Sequence, residues 1–272
     1  MIDAPGWLAV ERDDAPLIVS IPHAGTEFDG REARFVSAWL ARRDADWHIP
    51  QLYDFARALG ATIVRTALSR SLIDVNRDPS GASLYPGQAT TELCPTTTFD
   101  GESLYREGEA PDAQEIAERR RRYFDPYHAA LAAEIARLRA LHPRVALYDA
   151  HSIRSRIPRL FDGELPLFNL GTNSAASCDP ALRERVVALL TASGAPFVAD
   201  GRFKGGWITR RYGRPRQGVH ALQMELACRA YMAEPERIEA TNWPTPLDQS
   251  RAASTRATLK RVLEAALAWV RV

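Results

Sequence analysis

"LIVSIPHAGTEF", residues Leu17–Phe28, opens with five residues of mostly apolar character, is closed by a proline and continues at once into a histidine. A second run, "VALYDAHS" at Val145–Ser152, ends in an acid, a small residue and a histidine. Short apolar runs bounded by turn residues read as buried strands of a sheet covered on both faces. Two imidazoles at the carboxyl ends of two such strands are what a metal site built across a sheet requires. Two structural histidines bonded to their surroundings give the same pattern, so the rest of the chain has to discriminate.

Working outward, further strands are expected at Thr62–Thr66, Ser71–Val75, Leu167–Leu170, Phe197–Ala199 and Val219–Glu225, with the first two runs supplying Leu17–Ile21 and Val145–Tyr148. Helical patterns fall between them, at Asp46–Leu59, Asp112–Leu141, Asp179–Ser193, Pro235–Thr241 and Gln249–Val270. In "DPALRERVVALLTASG", Asp179 is placed to cap the helix, Pro180 suits its first turn and Gly194 its end. The alternation predicts an α/β fold, a mixed sheet flanked by helices on both faces. No repeat or linker divides residues 1–272, which are read as a single catalytic domain. Asp78–Glu109 is rich in Pro, Gly, Ser and Thr without a period, and is either a binding loop at the carboxyl edge of the sheet or a flexible insertion.

Composition narrows the class. The 272 residues are 46% hydrophobic and 25% charged with a net charge of +1, enough for a large core and no general attraction to nucleic acid or an anionic membrane. Three scattered cysteines, Cys94, Cys178 and Cys228, suit neither a disulfide framework nor a zinc ribbon. With an acidic N-terminus and no apolar run near 20 residues, a cytoplasmic protein is expected. The "RRRR" run at Arg119–Arg122 reads as a solvated helix face. Nothing in the sequence signals an oligomeric state.

A hydrolytic zinc site commonly has two imidazoles, a carboxylate and an open position. His23 and His151 would supply the imidazoles. The carboxylate is either Glu27, close to His23, or Asp46, whose commoner role would be a helix N-cap. Asp149 precedes His151 by two residues and is placed to accept from an imidazole N–H. Glu225, late in the apolar "GVHALQMELACRAYM", is a candidate proton carrier; an ion pair with Arg229 is the structural alternative. His220 lies five residues earlier and faces either the same site or the core.

Seven segments in order, "SIPHAGTEF", "DADWHIPQLYDFARALGA", "SRSLIDVNRDPSG", "LYPGQ", "DAHSIRSRIPRLFDGELPLFNLGT", "FKGGWITRRYGRP" and "GVHALQMELACRAYM", resemble the N-formylglutamate amidohydrolase family. They span about Ile18 to Met232. The resemblance implies a fold like that of phosphorylase/hydrolase-like enzymes and kinship with zinc carboxypeptidases and aspartoacylases. It makes His23 and His151 the imidazole ligands, favours Asp46 over Glu27, and makes Glu225 the catalytic glutamate. The carboxypeptidase spacing His-x-x-Glu is absent, because Thr26 stands at its last position.

The implied reaction is hydrolysis of N-formyl-L-glutamate to formate and L-glutamate in histidine degradation, with zinc or another divalent metal. A small formyl group would explain Ala24 and Gly25 beside His23. Such a dicarboxylate calls for cationic forks. Arg77 with its neighbour Asn76, then Arg154 and Arg214, are the candidate substrate-binding residues. A hydrolase of another N-acyl amino acid, resembling aspartoacylase or carboxypeptidase, is the enzymatic rival. A non-catalytic dicarboxylate-binding protein is the rival outside enzymes.

Overall fold

The computed structural model describes residues 5–84 and 87–272. Val, Ile and Leu concentrate in the central strands β2 (Leu17–Ile21), β3 (Thr62–Thr66), β4 (Val145–Ile153) and β7 (Val219–Ala227). All nine residues of β4 and all nine of β7 are buried. The outer strands are shorter: β1 (Leu8–Glu11) at one edge, and β5 (Phe168–Gly171) followed by β6 (Phe197–Ala199) at the other. Together they form a seven-stranded sheet in the order β1-β3-β2-β4-β7-β5-β6. β3, β2, β4 and β7 run parallel, while β1 and β5 pair antiparallel with β3 and β7.

The helices are α1 (Ala38–Arg42), α2 (Ile49–Leu52), α3 (Ala113–Arg119), α4 (Asp125–Leu141), α5 (Pro180–Ala192), α6 (Trp207–Tyr212) and α7 (Gln249–Arg271). They cover both faces of the sheet, as alternate strand residues show. Leu17, Val19, Ala146, Tyr148, Leu222 and Met224 pack in one core with α5 and α7. Ile18, Val145, Leu147, Val219 and Ala221 pack in the other with α4 and Ile208 of α6. Asp179 caps α5 by accepting from Ala181 N, as the sequence suggests.

Four expectations are corrected. Ser71–Val75 is a turn: Leu72 and Ile73 N–H both bond back to Ser69 O, so its apolar side chains are buried without a ladder. Asp46–Leu59 is no continuous helix; α2 begins at Ile49 with Pro50 in its first turn, and Asp54–Leu59 winds as 3₁₀. Pro235–Thr241 is irregular, having Ile238 as its one large apolar side chain and hence no stripe to bury. The Arg119–Arg122 run is not uniformly solvated, since Arg119 is buried on Glu115, Leu72 O and the Tyr105 hydroxyl.

One face of the sheet changes character along its strands. On the α4 side, β4 reads Val145, Leu147, Asp149, His151, and β7 reads Val219, Ala221, Gln223, Glu225. On the same side β2 passes from Ile18 to Ser20. The apolar half holds the helices, and the polar half opens at the carboxyl edge into a cavity of about 250 Å³.

Candidate metal centre and its cavity

His23, Asp46 and His151 each turn a ligand-type atom to a common point, all within 4.8 Å of one another. Three different routes of the chain bring them there. Pro22 ends β2, and His23 follows it, its carbonyl accepting from Asp46 N at 2.9 Å. Asp46 therefore stands ahead of α2 as an inward-facing group; the residue preceding that helix is His48, which makes no side-chain cap. His151 lies within β4, which runs to Ile153, and not after it as the sequence suggested. Glu27 is exposed and apart from the cluster.

Both imidazoles are held by their far nitrogens. His23 Nε2 donates to Asp74 Oδ1 at 2.7 Å, and His151 Nε2 lies 2.9 Å from both Asp149 Oδ2 and Asn76 Nδ2. This leaves both Nδ1 atoms for Asp46 Oδ2, at 3.8 Å for His23 and 3.1 Å for His151. Asp149 is anchored in turn by the Ser20 hydroxyl at 2.9 Å and by Asn76 Nδ2 at 2.9 Å.

Asp74 collects the most charge. Besides His23, it accepts from Asn76 N at 2.9 Å and Arg70 Nη2 at 2.7 Å, and Arg77 Nη2 lies 3.5 Å away. Burial alone would raise its pKa, but Arg77, His23 and Arg70 hold it well below the usual carboxylate range. For His23, burial and then Arg70 push the pKa down, towards the neutral form a metal requires. His151 goes the other way: burial opposes its charging, and Asp149 and Asp46 outweigh that and raise it.

His23 Nδ1 and Asp46 Oδ1 are buried without a hydrogen-bond partner. Buried polar atoms are rarely left so, and two facing one point beside a third ligand atom fit a divalent cation. Two imidazoles and one carboxylate are the donor set of a hydrolytic zinc site.

Glu225 is paired with His151 across β4 and β7. Its carboxyl lines the cavity, 7% exposed, and burial pushes its pKa up. The ion pair with Arg229 does not form; Arg229 Nε binds Glu164 Oε1 at 3.0 Å. His220 is on the opposite face of the sheet, accepting from Asp179 N and packed edge-on against Trp269.

The arginines divide. Arg77 lines the cavity and donates to Thr91 O and Oγ1, each at 3.0 Å. Arg154 is absent from the lining: it is buried in an ion-pair cluster, with Nη2 3.2 Å from Asp44 and 2.6 Å from Asp100. Arg214 sits at the amino end of β7, bonded to Arg210 O and Gly213 O, remote from the carboxyl edge. Neither Arg154 nor Arg214 is part of the cavity lining, whereas Arg70 and Arg202 are. Arg202 reaches Leu160 O and Ala89 O. Tyr85 and Pro86 of "LYPGQ" lie outside the described residues.

Gly25 has another use than leaving room at the metal. A Cβ there would lie 2.3 Å from Ala67 C, so it serves the close approach of two backbones. Gly206 is comparable: a Cβ would lie 2.6 Å from both polar atoms of the Asn76 amide. Asn76 Oδ1 accepts from Ile208 N at 2.8 Å, which fixes the amide so that Nδ2 faces Asp149 and His151.

A family model described as N-formylglutamate amidohydrolase matches residues 15–232. The chain is 48% identical over 266 residues to an N-formylglutamate deformylase of Pseudomonas aeruginosa, with 97% of each covered. It is 47% identical over 268 residues to one of Pseudomonas putida, with 96% of each covered. Among solved structures, it is similar to an N-formylglutamate amidohydrolase from Ralstonia eutropha JMP134, with a TM-score of 0.78, 25% identity and 98% of both chains covered.

Proposed function

The chain belongs to the N-formylglutamate amidohydrolase family, and we propose that it hydrolyses N-formyl-L-glutamate to formate and L-glutamate, as a step of histidine degradation in the cytoplasm. The observation that carries this reading is the cluster of His23, Asp46 and His151 at an arginine-lined cavity that His23, His151 and Glu225 line. We propose the three as ligands of a divalent cation, zinc first. When bound, such a cation supplies Lewis-acid activation of an amide carbonyl and of water.

The chain's own groups do the rest. Asp74 holds the His23 imidazole, and Asp149 with Asn76 flanks that of His151, with Nδ1 forward in both. Glu225 takes a proton from the attacking water and returns it to the amide nitrogen as the C–N bond breaks. Arg70, Arg77 and Arg202 line the cavity, and their guanidinium groups are the donors that a dianionic substrate calls for.

The test is release of formate from N-formyl-L-glutamate compared with release of acetate from N-acetyl-L-aspartate. Preference for the formyl compound supports the reading; preference for the acetyl compound moves the chain to an aspartoacylase-like activity.

A further inference from the structure

Gln223 is two residues before Glu225 and on the same face of β7, its side chain in the cavity wall and only 4% exposed. Gly206 N–H donates to its Oε1 at 2.7 Å. A backbone N–H can only donate, so the oxygen of the amide is on that side and Nε2 on the other. Gly206 cannot drift, because it is held against Asn76 with no room for a Cβ and Trp207 N is bonded to Asn76 O. No described group accepts a hydrogen bond from Nε2. The amide is thus a preoriented donor in the wall of the cavity that Glu225 and His151 also line.

From this geometry we infer that Gln223 is a specificity-determining residue whose Nε2 donates to a carboxylate oxygen of the substrate. The inference rests on the hydrolytic reading of this cavity. A carboxylate takes such a donor well, since hydrogen bonds to charged groups are the stronger ones. A neutral donor also adds affinity for an anion without adding a charge that would compete with Arg70 and Arg77 for Asp74.

The experiment uses the zinc-loaded enzyme, Gln223→Glu and Gln223→Met, with N-formyl-L-glutamate. Gln223→Glu keeps an oxygen for Gly206 N–H and exchanges only the donor for an anionic acceptor. Gln223→Met removes both functions. Wild-type turnover is measured first, and its failure refutes the hydrolytic reading independently of Gln223. Given that turnover, KM should rise roughly 10–100-fold in both variants, more in Gln223→Glu, with kcat changed only a few-fold and zinc per chain unchanged. A wild-type KM in Gln223→Glu beside an impaired Gln223→Met would overturn the inference and reduce the amide to an anchor for Gly206. Loss of zinc from both variants would overturn it too, assigning Gln223 to the support of the metal ligands.

Discussion

His151 and Glu225 are register partners in the parallel ladder between β4 and β7. Both side chains lie on the α4 side of the sheet, so strand pairing alone places a candidate ligand beside a candidate proton carrier, without help from a loop. Asp149 and Gln223 are paired in the same ladder one side-chain repeat earlier. Sites built on strands hold their groups tightly, and substitutions here should act on single functions.

Glu225→Gln is nearly isosteric and removes only the basic oxygen. Loss of a positioned general base should lower kcat by about two to four orders of magnitude while zinc per chain stays at the wild-type level. Near-normal kcat would remove Glu225 from the mechanism.

His151→Ala takes away a ligand atom itself. Activity and zinc content should fall together, and excess zinc should recover part of both. A variant that keeps its zinc but loses activity would show that His151 is not a ligand.

Asp74→Asn tests the shared carboxylate. The neutral amide cannot accept from His23, Arg70 and Arg77 together. Zinc affinity, read by competition with a chromophoric chelator, should fall about 10–100-fold, with a rise in KM from the loosened arginines. Unchanged affinity would contradict the supporting role of Asp74.

Arg77→Met and Arg154→Met should separate. Arg77 faces the cavity, so its loss should cost about 1.5–3 kcal/mol in kcat/KM, with a smaller loss of stability than Arg154→Met. Arg154→Met strips a buried partner from Asp44 and should destabilise the fold by roughly 2–3 kcal/mol. The reverse pattern, read by kinetics and urea unfolding, would return Arg154 to the substrate.

Acid stability has a defined contributor in His128. Burial against Tyr127 and Phe124 depresses its pKa from 6.5 to about 4, with Nε2 donating to Val75 O at 2.8 Å. Because the folded value is the lower one, the unfolded chain takes up the proton first. Stability is complete above pH 6.5 and declines as pH falls towards 4, by about 3 kcal/mol in all. Urea midpoints of wild type and His128→Gln should diverge over that window, with the variant less acid-sensitive. Parallel curves would clear His128.

Much of this was legible in the chain. The parallel core strands announce themselves as continuous apolar runs, and the two imidazoles by ending or interrupting them. The polar turn of the α4 face was legible too, since Asp149, His151, Gln223 and Glu225 occupy alternate positions, the period of one strand face. Gln223 was passed over because a neutral amide in an apolar run carries no charge signal. Asp74 and Arg70 were hidden by the apolar "SLIDV", which reads as a strand although its backbone turns. Arg154 and Arg214 could not be sorted by sequence distance from a histidine, because ion-pair partners such as Asp44 and Asp100 come from remote segments.

The central claim is that His23, Asp46 and His151 hold the cation on which hydrolysis depends. It is tested most directly by formate release from N-formyl-L-glutamate across a chelation and zinc-readdition cycle, with metal per chain measured at each point. Activity should fall with the metal, return with about one zinc per chain, and fail to return in Asp46→Ala. Full turnover by protein shown to be free of metal would contradict the account.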